Sequence, residues 1–244
     1  MTASFYQTLE PTQITSFNQF LDEPNHSRAW NYGLDLEGSL GAGVSWGIRS
    51  IYRDGEIPLV VRDFSLANLT SQVQSIKTTR HWTNLYLTWA VNANLAMSAG
   101  YSSNRFVLSQ PLTTAAEASG FAPDGIERLK TQTLPLMARY FHPSGFGLEA
   151  TATYFDQQGD FILNQPGSVS RHGTDQFWLA NLTASYRLRH RRGSLSVGIN
   201  NLFDQSFQFE DIASNDAFAP FRTAAPSDLN HERFLFGKIT FNFR

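Results

Sequence analysis

Apolar residues recur at every second position in one stretch of this chain after another. In FWLANLTASYRL, residues 177–188, the side chains of Trp178, Ala180, Leu182, Ala184, Tyr186 and Leu188 fall on one side. Asn181, Thr183, Ser185 and Arg187 fall on the other, and Leu179 breaks the pattern. Phe146, Leu148, Ala150, Ala152 and Tyr154 oppose Gly147, Glu149, Thr151 and Thr153 in the same way. Leu95, Met97, Ala99 and Tyr101 oppose Ala96, Ser98 and Gly100, while Val44, Trp46, Ile48 and Tyr52 oppose Ser45, Gly47 and Arg49. At the C-terminus Leu235, Gly237, Ile239, Phe241 and Phe243 alternate with Phe234, Phe236, Lys238, Thr240 and Asn242. Period two is the signature of strands with one apolar face, and it leaves little room for helix. Only TTAAEASG, residues 113–120, has some helical character.

The connections alternate too. Short turn-like links fall at Gly38–Gly41, Asn92–Asn94, His142–Gly145 and Arg191–Gly193, and long polar stretches at 54–74, 109–125, 159–175 and 205–230. Loops of that length are uncommon inside compact domains but usual on one rim of a membrane barrel. The expectation is an all-β, antiparallel up-and-down transmembrane β-barrel of about ten strands, the first near Gln13–Phe20 and the last at Arg233–Phe243. Short periplasmic turns and long extracellular loops would join them, with residues 1–244 forming a single domain.

Composition agrees with a surface that is partly out of water. Charged residues make up 16% of the 244, against the usual ~25%, while aromatic residues reach 14%. No window approaches 18 consecutive apolar residues, which excludes transmembrane helices. A net charge of −2 gives no nucleic-acid footprint, and the absence of cysteine removes disulfides, thiolate catalysis and Cys-based zinc sites. MTASFYQTLE lacks the basic and apolar regions of a secretion signal, which fits either a cytoplasmic protein or, the expectation adopted, the C-terminal part of a longer one.

In a barrel the apolar face meets lipid and the other face lines the lumen, where Glu37, Arg49, Arg139, Glu149, Arg187 and Lys238 would stay solvated. Trp30, Tyr52, Trp82, Tyr101, Tyr140 and Trp178 fall near expected strand ends, as interfacial girdles require. A soluble β-sandwich with the faces reversed has the same alternation, and a carbohydrate-binding module of that kind is one alternative.

The terminal strand, with Leu235, Gly237, Ile239, Phe241 and Phe243, resembles the C-terminal strand of outer-membrane β-barrels, displaced by Arg244. That resemblance implies recognition by the barrel-assembly machinery. From Phe177 onward, LTASYRLRHRRGSLSVGINNLFDQSFQFE resembles the penultimate hairpin of TonB-dependent outer-membrane receptors, with Asn201, Leu202, Phe203 and Asp204 as the family's closing tetrapeptide. The resemblance implies ligand binding and uptake across the bacterial outer membrane. The partners would be outer-membrane lipid, the assembly machinery and an unidentified small molecule, with no cofactor. The family's plug domain and TonB box have no counterpart here. Physically, the tetrapeptide reads as a strand-end turn in which Asn and Asp satisfy backbone groups.

Catalytic and metal patterns are weak, and the expectation is a protein that is not an enzyme. His26, His81, His142, His172, His190 and His231 lack metal-ligand spacing. The alternative of a barrel hydrolase or protease would draw on His81 with Ser98, or on Asp124, Glu127, Asp211, Asp216 and His231 at the rim.

Overall fold

The computed structural model describes residues 12–14, 17–19, 28–41, 43–63, 70–109, 125–162, 170–188, 192–207 and 232–241. Two short strands, β1 (Thr12–Ile14) and β2 (Phe17–Gln19), pair only with each other. Nine strands then form one sheet: β3 (Arg28–Leu40), β4 (Val44–Asp63), β5 (Thr70–Ala90), β6 (Leu95–Leu108), β7 (Gly125–Phe141), β8 (Phe146–Ile162), β9 (Ser170–Arg187), β10 (Gly193–Asn200) and β11 (Phe234–Phe241). Every strand pairs antiparallel with its sequence neighbour, so the sheet is a pure up-and-down meander. The edge strands, β3 and β11, are not paired with one another.

The expected first strand near Gln13–Phe20 is thus a separate hairpin, and the sheet has nine strands where about ten were expected. Two expected loops are mostly strand: β4 runs on to Asp63 with β5 starting at Thr70, and β8 reaches Ile162 with β9 starting at Ser170. Within them Glu56 stands opposite Lys77 and accepts from Ser75 Oγ, and Asp160 bonds His172. Cross-strand pairing stabilises a ladder that apolar content alone does not signal. Residues 110–124 and 208–231 lie outside the described residues, as do Phe243 and Arg244.

The short links all lie at one end of the meander. Gly43, Gly145 and Gly193 adopt positive φ there (78°, 97° and 151°), which side chains disfavour. The link between β5 and β6 is instead held by Asn92, whose Oδ1 accepts from the Asn94 and Leu95 amides. Gly38, expected in a turn, belongs to β3, opposite Trp46.

Each hairpin starts two residues further down the ladder than the one before. Val44 shares a row with Met97, Leu95 with Leu148, and Phe146 with Leu195. That is a stagger of one residue per strand. With ~3.4 Å per residue and ~4.8 Å between strands, a line through the turns is inclined so that strands tilt about 35° from its normal. One proline interrupts the ladder. Pro135 lacks an amide hydrogen, and the β6–β7 pairing lapses beside it at Gly100 and Tyr101. Gly100 leaves space for the ring: a Cβ there would lie 3.0 Å from Pro135 Cγ.

Candidate functional site: two faces of one sheet

Register assigns every side chain in the nine-stranded sheet to one of two faces. One row runs Leu40, Val44, Trp89, Met97, Ala138, Ala150, Leu182, Ile199, Leu235, apolar across all nine strands. The rows on either side add Trp46, Leu87, Leu136, Leu148 and Val197 among others. This face is the exposed one. Large apolar side chains remain 37–72% accessible along it, from Leu134 and Leu148 to Trp30. Isolated exposed apolar residues are ordinary, but a contiguous band over a whole sheet marks a surface that meets something other than water.

The band has borders. On β8 it runs from Phe146 to Tyr154 and is followed on the same face by Asp156 and Gln158; on β9 it runs from Tyr186 to Trp178, and Gln176 and Thr174 follow. Tyr101, Tyr154 and Trp178 mark the border away from the short turns, with Tyr154 and Trp178 rings 5.3 Å apart. Tyr52 and Trp30 continue that border on β4 and β3, two to three rows higher, in the sense the stagger dictates. Tyr140, Phe146 and Tyr186 mark the opposite border. Of the six aromatic residues expected in girdles, five lie on this face. Trp82 does not: it lies on the other face between Ile51 and Asn104, with the Arg80 guanidinium 5.8 Å from its ring. Its position two residues from Asn84 gives it the parity of the polar set.

The second face is packed. Among the described residues, all the buried apolar residues of the sheet (Ile76, Phe106, Leu108, Ile126, Leu129, Phe155, Phe177 and Leu179) are on it, at or beyond the level of the aromatic border. Phe155 stacks on Phe177 (4.9 Å), and Phe177 on Phe207 (4.4 Å), which follows β10. Apolar parity therefore switches along a strand: Leu95 to Tyr101 are apolar on the exposed face, then Phe106 and Leu108 on the packed one.

Towards the short turns the packed face becomes polar. Glu37, Arg49, Arg139, Glu149, Arg187 and Lys238 all lie here. Arg49 and Asp35 are directly opposite, with Arg49 Nε and Nη2 donating to Asp35 Oδ2 at 3.1 and 2.7 Å. Arg139 and Glu149 are also opposite, with Nε donating to Oε2 at 2.7 Å. Both pairs are about one-third to one-half exposed, so their net contribution to stability is small, but they fix charge at defined places. Glu37 is across from Gly47, over which the Tyr86 ring lies. Asp35 escaped the sequence reading, although its parity with Glu37 would have placed it.

The Asn201–Asp204 tetrapeptide is a turn. Asn201 (φ 51°) and Asp204 (φ 55°) take left-handed backbone, which Asn and Asp tolerate best among side-chain-bearing residues. Asn201 is buried, receives the Gln205 amide hydrogen on Oδ1 (2.8 Å) and donates from Nδ2 to the Gln205 carbonyl (2.9 Å). Its own amide donates to Asn181 Oδ1, and Asp204 Oδ1 accepts from the Arg233 amide at the start of β11. The motif thus ties β9, β10 and β11 together. Of the C-terminal set, Leu235, Gly237, Ile239 and Phe241 share the exposed face in β11; Phe243 lies outside the described residues.

His81 and Ser98 are on opposite faces and cannot form a nucleophile–base pair. His81 Nε2 is instead 3.0 Å from Ser50 Oγ and 3.4 Å from Thr83 Oγ1 on the exposed face. No group among the described residues orients its other nitrogen, so the pair lacks the third member a triad needs. His142 bonds Ser144 within its turn and His172 bonds Asp160; no group of metal-ligating side chains occurs among the described residues. Asp124, Asp211, Asp216, His26, His190 and His231 lie outside them.

No helix among the described residues is long and apolar enough to cross a membrane. No protein-family model matches the chain, and neither a curated protein nor a solved structure matches it significantly.

Proposed function

We propose that this sheet is the wall of a bacterial outer-membrane β-barrel, similar to the C-terminal barrel of TonB-dependent receptors, that binds a small ligand and passes it inward. One observation supports this above the rest: the apolar band is on the exposed face, bordered by tyrosine and tryptophan, while at the level of that band the charged residues are on the other face. A soluble sandwich requires the reverse. The nine-residue run Phe146–Tyr154 spans about 27 Å along β8, or about 22 Å along the normal of a sheet tilted ~35°, close to the ≈ 25 Å apolar belt of such barrels. The short turns would face the periplasm and the long connections the outside, and Asp35–Arg49 and Arg139–Glu149 would line the lumen. No catalytic role is assigned.

The experiment is lipid quenching of single-tryptophan variants refolded into phosphatidylcholine vesicles with brominated acyl chains. Trp46, Trp89 or Trp178 retained alone should be quenched, and Trp82 retained alone should be spared. Equal protection of all four would exclude a lipid-facing band. Uptake is tested separately by solute flux through the same vesicles.

A further inference from the structure

Just beyond the aromatic border, the exposed face holds an arrangement that the wall itself does not require. Arg105 on β6 is directly opposite Lys130 on β7, and on its other side it is opposite His81 on β5. Arg128, two residues from Lys130, joins them on the same face, opposite Val107. Like charges set directly across a ladder are destabilising unless something of opposite charge sits between them. Among the described residues, no carboxylate forms an ion pair with Arg105 or Lys130. The acids on this face are committed or displaced: Asp160 bonds His172 at 2.9 Å and is 3.9 Å from Arg128, Asp156 lies opposite Gln132 and Gln176, Asp54 lies opposite Thr79, and Glu56 lies opposite Lys77 and accepts from Ser75 Oγ.

The level of these cations is informative. Arg105 is four residues beyond Tyr101, about 13 Å along the strand and about 11 Å along the normal at ~35° tilt. Lysine and arginine stems can lean back over apolar surface, bringing the charged heads toward the headgroup layer. Ser103 and Gln132 fill the row between, and Gln132 Nε2 donates to the Tyr101 hydroxyl. The surface presents, in order, an acyl-chain band, an aromatic rim, a row of neutral hydrogen-bonding groups and a row of cations.

We infer that Arg105 and Lys130, flanked by His81 and Arg128, form a binding site for the phosphate of an anionic membrane lipid whose acyl chains lie on the band below. The inference rests on the membrane-wall reading above. Charge complementarity and continuity with the band select this occupant: a soluble anion would gain from the cations but not from the apolar surface beneath them. The guanidinium supplies a fork for two phosphate oxygens and the ammonium a point charge, a division of labour suited to a phosphomonoester.

The test measures lipid selectivity by spin label. The full chain, reconstituted in phosphatidylcholine vesicles, is given trace spin-labelled phosphatidic acid or phosphatidylcholine, and the motionally restricted fraction of each is compared. Phosphatidic acid should be preferred, with the preference falling about fivefold for each of Arg105→Gln and Lys130→Gln. The charge-preserving R105K/K130R should keep most of it, and K238Q, on the packed face, all of it. A separate sign check guards against misfolding: in pure phosphatidylcholine R105Q should unfold at equal or higher denaturant than the parent, and with phosphatidic acid present at lower. Restricted lipid with no preference, or a preference unchanged in the double Gln variant, overturns the lipid site and leaves the membrane wall standing. Loss of the preference on adding inorganic phosphate assigns the site to a free anion and overturns the lipid assignment. No restricted lipid of either kind overturns the wall, and the site falls with it.

Discussion

An arginine placed at Ala150 separates a lipid-facing wall from a water-facing one more sharply than any other single change. Ala150 is exposed, in the middle of the Phe146–Tyr154 run, with Ala138 and Leu182 opposite it. It lies about 11 Å from either border along the normal, so in a membrane wall a guanidinium there must cross several Å of hydrocarbon to reach water. In a barrel wall that costs about 2–4 kcal/mol near the midplane, a change of roughly 30- to 1000-fold in the folding equilibrium. If the face met water, an exposed Ala→Arg change would stay within about 0.5 kcal/mol. Two controls carry the same substitution to other places. Ser98→Arg is on the packed face between Thr88 and Met137, and Ser103→Arg is on the exposed face beyond Tyr101; each should cost no more than about 1 kcal/mol. The assay is equilibrium urea unfolding from phosphatidylcholine vesicles, followed by tryptophan fluorescence and by the shift in gel mobility on boiling. Near-neutral Ala150→Arg together with strongly destabilising Ser98→Arg would refute the assignment of faces and favour a sandwich.

Two further outcomes follow from close contacts. Asn201→Ala removes both side-chain bonds to Gln205 and sets a residue less tolerant of φ 51° at the turn, so it should cost about 2–3 kcal/mol by the same urea assay, with Asn201→Gly recovering only the backbone part. Gly47→Val drives a branched side chain into the Tyr86 ring and should cost about 1–3 kcal/mol; in a Tyr86→Ala background most of that penalty should vanish, which a double-mutant cycle reads directly.

The up-and-down β architecture was legible because period two admits few folds and because the short links are strongly marked. Gly43, Gly145, Gly193 and Asn92 each supply turn chemistry visible in the sequence. The six lumen candidates could be grouped on one face by parity alone, since register moves side chains two at a time. What escaped was the change of parity along a strand. Leu179 looked like an exception to the alternation of β9, but it is buried with Phe155, Phe177 and Phe207 on the packed face at the level of the aromatic border. Under the membrane reading, a strand passing from band to cap exchanges its surroundings, lipid for water on one side and solvated polar groups for packed aromatic rings on the other. Its apolar parity then flips without a turn. Strand ends hid for a related reason. Glu56 on β4 accepts from Ser75 on β5, and Asp160 on β8 bonds His172 on β9; such a partner is not visible in either strand read singly. The basic row was missed likewise, because Arg105 and Lys130 are 25 positions apart and become neighbours only through register.

The sheet's edges force one more conclusion. β3 has 13 residues and β11 has 8, and about half the backbone groups of each point away from the sheet. In hydrocarbon each unpaired group costs several kcal/mol, so open edges would exceed the whole 5–15 kcal/mol stability of an ordinary domain. Under the membrane reading both must therefore be paired. Strands alternate in direction through the meander, so β3 and β11, first and last of nine, run the same way. Closing one directly on the other would make a parallel seam in an otherwise antiparallel sheet. An odd number of further strands between them would keep every pair antiparallel, and that is the arrangement we expect. A stagger of one residue per strand over the eight steps from β3 to β11 brings Glu37 and Thr240 to the same height on the same face, so Glu37→Cys and Thr240→Cys report on the seam against a background with no other cysteine. With one strand between them the two sites are about 9–10 Å apart, beyond disulfide reach, and oxidation in vesicles should leave them unlinked. A rapid intramolecular disulfide between these two positions would establish direct β3–β11 closure and refute the intervening strand.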